Sequence, residues 1–299
     1  MNEVQLIQSI QEYIRENFQK DECTAELICS TFGYSKRHMD RLFKKHLGKT
    51  LQKYIQSVRL SQSAQDILSL DQTIIDIAFQ SQYLTHEGFA RSFKRMFQIT
   101  PSDYRESQVT IPLFIEYPIS HYYAMIQYEE EKCMNETIAV CTVTPVAKTE
   151  RKLIFQPSRK AKDYFTYCEE MGCEWEGLLN SIPEKLDTAA LIELPDGLRE
   201  EGFSAIASGI EVPLNFDKPL PEGYKTAILD NCTMLYFQSE PYEKDEDFCI
   251  AIDSTYRAIR QYDPSSFGYQ YDYSSAPTFN YGADSSAGAR IAVPVKKVE

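Results

Sequence analysis

The sequence predicts two domains: an all-α domain of homeodomain-like kind over residues 1–107, carrying two helix-turn-helix units, and an α+β domain over 136–299 built on a duplicated strand-helix-strand-strand unit. Residues 108–135 are expected to link them. Three observations point there. Two basic amphipathic stretches, 35–47 and 85–97, each follow a shorter apolar helix across a tight turn. A run without Pro or Gly, 50–69, lies between them. Beyond about residue 136 the pattern changes to short extended runs alternating with single long helices.

The opening helix, 4–18, is amphipathic, with Glu12, Arg15 and Glu16 scattered through it, which is unlike a signal peptide. No apolar run approaches membrane-spanning length, so the expected location is the cytoplasm and no membrane is expected as a partner. In the first basic stretch Met39, Leu42, Phe43 and Leu47 recur at helical spacing, with Arg37, Arg41 and Lys44 on the opposite side. In the second, Phe89, Phe93, Met96 and Phe97 form the stripe that packs, and Glu87, Arg91, Lys94 and Arg95 face outward. The stretch 50–69 starts on Thr and carries Leu51, Tyr54, Ile55, Val58 and Leu68, which predicts one unbroken helix. At ~1.5 Å per residue it makes a rod of roughly 30 Å, close to the ~34 Å repeat of B-DNA. Two such helices on one rod would enter successive major grooves of double-stranded DNA.

Charge divides the chain in the same place. Residues 1–107 hold 14 Lys+Arg and 13 Asp+Glu, whereas residues 108–299 hold 17 and 31, which excludes the back part as a nucleic-acid surface. In the front part Lys36, Arg37, Arg41, Lys44, Lys45, Lys49 and Lys53 are offset by Asp40 alone. Asp40 and Glu87 oppose phosphate binding, so each reads a base, pairs with a neighbouring Arg or weakens the site. The alternative for the whole basic face is a merely solvated surface.

Over 7–105 the sequence resembles the AraC/XylS family of bacterial transcription regulators. The residues that carry the resemblance are Phe32-Gly33-Tyr34-Ser35, Leu42-Phe43-Lys44, Gly48, Arg59-Leu60, Ala64, Ile74, Ile77-Ala78, Phe89, Arg91, Phe93-Lys94, Thr100-Pro101 and Tyr104-Arg105. Gly33 and Gly48 suit the positive φ that ends a helix, and Ser35 suits a helix cap. The resemblance implies that Arg37, Asp40 and Arg41, then His86, Glu87 and Arg91, reach base edges, and that RNA polymerase is a partner. Arg grips guanine through two hydrogen bonds, and a carboxylate accepts from cytosine. Lys44, Lys45, Lys94 and Arg95 are expected on phosphate, with Ser35, Lys36 and Thr85 completing the DNA-facing set. The chain departs from the family where Gln82-Tyr83 stands for Gly-Phe before the second reading helix, and again where Gln98-Ile99 follows it without Gly. A positive φ is costly for a residue other than Gly.

The linker contains Pro112, Pro118 and the acidic run Glu129-Glu130-Glu131, but Ile111, Leu113, Phe114 and Ile115 are apolar enough to pack on a neighbouring domain. After it, strands are expected over 137–144, 152–155, 189–193, 203–212, 226–229, 233–238, 268–273 and 290–295, and helices over 161–180 and 245–261. The eight cysteines show no Cys-x-x-Cys spacing and the chain has only four His, so no metal and no cofactor is expected.

This half resembles the GyrI-like effector-binding domain through Arg151-Lys152-Leu153, Gly209-Ile210-Glu211-Val212-Pro213, Phe237-Gln238-Ser239-Glu240-Pro241 and Ile291-Ala292-Val293-Pro294-Val295-Lys296-Lys297. The resemblance implies a crevice on a pseudo-twofold axis for a flat or cationic small molecule, of the kind used in multidrug sensing, commonly with a buried carboxylate. Many members carry Phe-Glu where this chain has Phe279-Asn280-Tyr281, so Glu211 or Glu240 would have to supply the charge. Phe267, Tyr269, Tyr271 and Tyr273 alternate along one extended run and would form an aromatic wall, with Trp175, Tyr236, Phe279 and Tyr281 as further lining residues. An ordinary aromatic core is the alternative. A small-molecule hydrolase using Glu211, Tyr236 and Trp175, or a protein-binding module, would be the competing functions of this half; His121 is the sole His beyond the front domain, so no Ser-His-Asp or Cys-His set supports the hydrolase.

Overall fold

The computed structural model describes residues 3–69, 71–116, 118–119, 141–244 and 247–298. The chain divides into two units, Met1–Tyr123 and Ala124–Glu299.

The helices of the front unit are α1 (Glu3–Asn17), α2 (Ala25–Thr31), α3 (Lys36–Leu47), α4 (Leu51–Ser69), α5 (Ile74–Gln80), α6 (His86–Phe97) and α7 (Pro101–Ser107). They enclose two hydrophobic cores rather than one. Leu6, Ile7, Ile10 and Ile14 of α1, Ile28 of α2 and Met39, Leu42 and Phe43 of α3 fill the first. Ile77 and Ala78 of α5, Phe89, Phe93 and Phe97 of α6 and Tyr104 of α7 fill the second. The unbroken α4 serves both, giving Leu51, Tyr54 and Ile55 to the first core and Leu60, Ala64 and Ile67 to the second. Its 19 residues make a rod of about 28 Å at ~1.5 Å each.

The short helices begin on side-chain caps, which satisfy amide N–H groups that have no partner inside the helix. Ser35 Oγ accepts from His38 N at 3.3 Å and Thr85 Oγ1 from Gly88 N at 3.1 Å. Residues 109–116, 118 and 119 pack on the front unit. Ile111 and Leu113 are buried in the second core and Ile119 in the first, while Phe114 N donates to Ser61 Oγ at 2.7 Å and Ile119 N to Gln11 Oε1 at 2.9 Å. The acidic run 129–131, His121 and the opening of the strand expected over 137–144 lie outside the described residues.

The back unit runs β1 (Cys141–Lys148), β2 (Arg151–Pro157), α8 (Tyr164–Met171), α9 (Trp175–Asn180), β3 (Ala190–Glu193), β4 (Ile206–Val212), β5 (Lys225–Leu229), β6 (Cys232–Ser239), α10 (Phe248–Gln261), β7 (Tyr269–Tyr271), β8 (Thr278–Asp284) and β9 (Gly288–Lys297). The strands form one antiparallel sheet in the order β1-β6-β9-β8-β3-β4-β2-β5, with β7 added on β9. Exchange β1 with β5, β2 with β6, β3 with β8 and β4 with β9, and this order reads the same backwards. The repeat is therefore strand-helix-strand-strand (β2-α8/α9-β3-β4 and β6-α10-β8-β9), each copy led by a strand that pairs in the other half: β1 on β6, β5 on β2.

Three expectations need correcting. The helix expected over 161–180 is two helices, because Gly172, at φ 82, closes α8 with its N–H on Cys168 O at 2.9 Å. The strand expected over 268–273 shrinks to β7, with Phe267 in a preceding 3-10 turn. The helix expected from 245 begins at Phe248, and residues 245 and 246 are outside the described set.

Candidate nucleic-acid interface and effector face

The outward face of α3 and its cap exposes Ser35, Lys36, Arg37, Arg41, Lys44 and Lys45; that of α6 and its cap exposes Thr85, Glu87, Arg91, Lys94 and Arg95, with His86 half-buried. The sequence stripes explain this division, because the apolar residues of each helix are held in a core and the basic ones are left outside. Local contacts then separate the expected set. Asp40 Oδ1 accepts from Leu51 N at 3.3 Å, so its carboxylate caps the first turn of α4. That contact joins α3 to the rod through one of the two carboxylate oxygens. Lys45 Nζ lies 2.6 Å from Glu3 Oε2, and His46 Nε2 is 3.1 Å from the same oxygen. These two contacts pull the Glu3 carboxyl down to about 2 and bridge α3 to α1, while Lys45 itself stays exposed. Lys36 makes a similarly exposed pair with Glu26 at 2.5 Å.

The residues that position the reading helices come from further away. Arg59, on α4, donates to the carbonyls of Phe18, Lys20 and Cys23 at 2.7, 3.2 and 3.0 Å. Gln56 Nε2 reaches Tyr83 Oη at 3.1 Å and Ser92 Oγ at 3.3 Å, fixing α6 against the rod. Arg59 belongs to the matched sequence series, but its carbonyl partners are 36–41 residues away and leave no local signal. Gln82, where Gly was expected, adopts φ 65 nonetheless, and its amide donates to Gln19 O at 2.7 Å.

In the back unit the strands alternate, and the alternation sorts the expected lining residues onto opposite faces of the sheet. Trp175 is buried with Tyr167, Leu179, Ile154 and Ile210 where α8 and α9 cover the sheet. Tyr269 and Tyr271 pack under α10 with Phe237, Ile259 and Ile291, and Tyr271 Oη donates to Ile259 O at 2.9 Å. Tyr273 is half exposed and stacks on Tyr271 at 5.6 Å. Trp175, Tyr269 and Tyr271 are thus helix-packing residues, Tyr273 stands exposed beside Tyr271, and the rings along 267–273 do not form one wall of a crevice. Asn280 also turns to the helices, donating to Tyr256 Oη at 3.2 Å. The hydrolase set fails on the same geometry, since Trp175 lies on the other face of the sheet from Glu211 and Tyr236.

The face that no described helix covers gathers the remaining four candidates. Phe279, Tyr281 and Tyr236 stack in series, with ring centres 5.9 and 6.1 Å apart and planes within 14° of parallel. The Tyr236 and Tyr281 hydroxyls are 3.4 Å apart. Glu211 is 2% exposed; its Oε1 accepts from Arg151 Nε at 2.5 Å and its Oε2 from Lys148 Nζ at 2.9 Å. Arg151 also bonds the carbonyls of Thr149 and Asp230 at 3.2 and 3.1 Å, which ties together the two-residue corners β1–β2 and β5–β6. Lys148, at one end of the strand order, therefore meets Glu211 near the other end, and the sheet curls on itself at its pseudo-twofold centre. Burial alone would push the Lys148 ammonium down; the Glu211 charge outweighs it and leaves the pKa raised. Tyr281 is raised by burial, then by neighbouring Tyr236, Glu211 and Asp187, and stays neutral. Lys148 Nζ is 5.5 Å from the Tyr236 ring centre, and the Arg290 guanidinium carbon is 4.1 Å from that of Tyr281 and 5.9 Å from that of Tyr236. Arg290 pairs with Asp187 at 2.6 Å. Sequence reasoning missed Lys148, Arg151 and Arg290; only the sheet order brings them to Glu211 and the rings. A shallow recess beside Phe155, Leu194, Leu198, Phe203 and Lys225 lies on this face too.

Among the described residues no group of three or more His, Cys, Asp or Glu is placed to hold a metal ion, and no helix is long and apolar enough to cross a membrane.

Two capped basic helices, set on one rod and each backed by its own core, define a DNA-binding protein of the helix-turn-helix class. Residues 28–107 match the family model described as a helix-turn-helix domain. The regulatory protein SoxS of Salmonella typhimurium is 34% identical over 105 residues, covering 35% of this chain and 97% of that one. The multiple antibiotic resistance protein MarA of Escherichia coli is 29% identical over 116 residues, 39% of this chain and 91% of that one. The chain belongs to the AraC family of DNA-binding transcription regulators. Among solved structures, that of SAV2435 bound to tetraphenylphosphonium is 14% identical, covering 52% of this chain and 94% of that one with a TM-score of 0.34.

Proposed function

We propose that this AraC-family protein is a one-component regulator: the front unit holds a promoter, and the back unit, a GyrI-like domain, binds a small aromatic or hydrophobic effector on the sheet face that carries Glu211, Tyr236 and Tyr281. The observation that carries the reading is the Arg151–Glu211–Lys148 cluster set beside stacked Tyr236 and Tyr281. Buried ions cost several kcal/mol to desolvate, and a core of similar shape would be at least as stable without them. Perturbed buried charges concentrate at functional sites. Two reading helices in one chain suffice for asymmetric DNA without a dimer, and RNA polymerase is the protein partner through which occupancy becomes transcription in the cytoplasm. An effector acts by preferring one arrangement of the protein, with coupling of ~1–3 kcal/mol as in other allosteric systems.

The test is titration of small aromatic compounds into the full chain bound to its promoter, read by DNA affinity and by transcription. A compound that binds the back unit and shifts either readout supports the reading. If every compound that binds residues 141–298 leaves both unchanged, the sensor half fails. On the DNA side, Arg41→Ala is expected to lose ~1–3 kcal/mol on the specific site and little on random DNA, as for a base contact. Equal losses on both would assign Arg41 to phosphate.

A further inference from the structure

The charge of the effector is written into the same face, and the argument rests on the effector reading above. Glu211 is the buried carboxylate that a cation-binding crevice would use, yet both its oxygens are already taken, one by Arg151 and one by Lys148. The rings are flanked by three cations, Lys148, Arg151 and Arg290, and by two carboxylates, Glu211 and Asp187. One positive charge is left over, in a half of the chain that is otherwise strongly acidic. Its accessible bearer is Lys148: the Lys148 side chain is 16% exposed, against 1% for Arg151. An ammonium has three N–H donors; Glu211 takes one and the Tyr236 side chain a second, which leaves one. Arg290 spends Nη2 on Asp187 and Thr188 and lies across the Tyr281 ring. Lys148 and Arg290 are 5.5 and 5.9 Å from the centre of one ring, that of Tyr236.

We infer that the effector is a planar aromatic monoanion, an aromatic carboxylic acid in its ionised form, whose ring rests on the Tyr236–Tyr281 pair and whose carboxylate lies between Lys148 and Arg290. A cationic ligand would meet a carboxylate already neutralised and an ammonium that repels it. Charge-assisted bonds from Lys and Arg to a carboxylate are the strong ones, and they strengthen where water is excluded. The pseudo-symmetry explains why only one half contributes a buried acid from this strand position. Glu211 in the Ile-Glu-Val-Pro phrase of β4, opposite Leu153, corresponds to Ala292 in the Ile-Ala-Val-Pro phrase of β9, opposite Tyr236. The second half thus puts a ring where the first has an aliphatic side chain, and no acid where the first has its acid.

The probes are three naphthalenes of one shape and different charge: 2-naphthoate, 2-naphthalenemethanol and 2-naphthylmethylammonium, measured by equilibrium dialysis against the full chain. The expected order is naphthoate first, about tenfold or more ahead of the ammonium, with the alcohol between them. Lys148→Met, which leaves the Arg151–Glu211 pair in place, is expected to weaken naphthoate about tenfold and the alcohol less than twofold. Arg290→Met, tested in the same way, should also narrow the gap between anion and cation. An ammonium that binds as tightly as naphthoate overturns the charge assignment while leaving an effector site standing. If none of the three binds, both the assignment and the effector reading fall. The comparison on the unaltered protein decides between these outcomes even if a variant does not fold.

Discussion

The two reading helices are the same device closed in two ways. α3 is stopped by Gly48 at φ 68, and the turn before it uses Gly33 at φ 74. α6 is stopped by Gln98 at φ 62, and the turn before it uses Gln82 at φ 65. The left-handed backbone is dictated by the motif and not by the residue, and in the second copy tertiary bonds hold it against a preference of ~1–2 kcal/mol. Gln82 is tied to Gln19 O, and Gln56 pins both Tyr83 and Ser92. The cores differ too. The first contains a buried polar chain, Gln11 to Tyr54 to Glu116, with bonds of 2.9 and 2.8 Å. The second is a ladder of rings, Phe89, Phe93, Phe97 and Tyr104. The lesson is that one geometry tolerates different local chemistry when the rod α4 fixes both ends.

Truncating the aromatic ladder breaks the comparison most severely. Phe93→Ala should remove ~3–5 kcal/mol of stability, and Phe43→Ala a similar amount from the first core. Denaturant unfolding followed at both copies distinguishes a single cooperative front unit, in which either variant lowers both, from two cores that unfold separately. Next comes the backbone. Nothing stands within 4 Å of a Cβ added at Gly48, so Gly48→Ala isolates the left-handed penalty and should lose ~1–2 kcal/mol, whereas Gln98→Gly should gain about 0.5–1 kcal/mol. A loss at Gln98 would mean that its amide bond to Arg95 O stabilises more than the strain costs.

The smallest effect concerns Glu116. Burial raises its carboxyl, with the Tyr54 hydrogen bond and Arg15 pulling the other way. A carboxyl raised on folding is protonated more readily in the folded chain, so folding loses stability as pH rises from its ordinary range through the raised one. Glu116→Gln should therefore stabilise the front unit at neutral pH, with the gain shrinking to nothing on acidification below the ordinary carboxylate range. A gain independent of pH would locate the effect in packing rather than in charge.

The reading helices were legible because their signal is local. Helical spacing of Met39, Leu42 and Phe43, caps at Ser35 and Thr85, and the uninterrupted run of α4 are all within a few turns of one another. The contacts of Asp40 and Lys45 were not legible for the opposite reason, since the groups they touch, Leu51 N and Glu3, sit on other helices. In the back unit, alternation along 267–273 was real as composition, but it could not tell which face of the sheet the helices would cover. Tyr269 and Tyr271 went under α10, and Glu211 with Tyr236 faced the other side.

The order of residues along the chain was enough to determine helix periods, caps, the rod and the doubled pattern, because each depends on interactions over a few residues. Tertiary structure alone decided that Lys148 at one edge of the strand order would meet Glu211 near the other, with Arg151 on the same carboxylate, and that the rings of Tyr236 and Tyr281 would stand beside them. Strand pairing joins residues tens of positions apart, and charges that are neutral partners in space carry no mark of it in sequence.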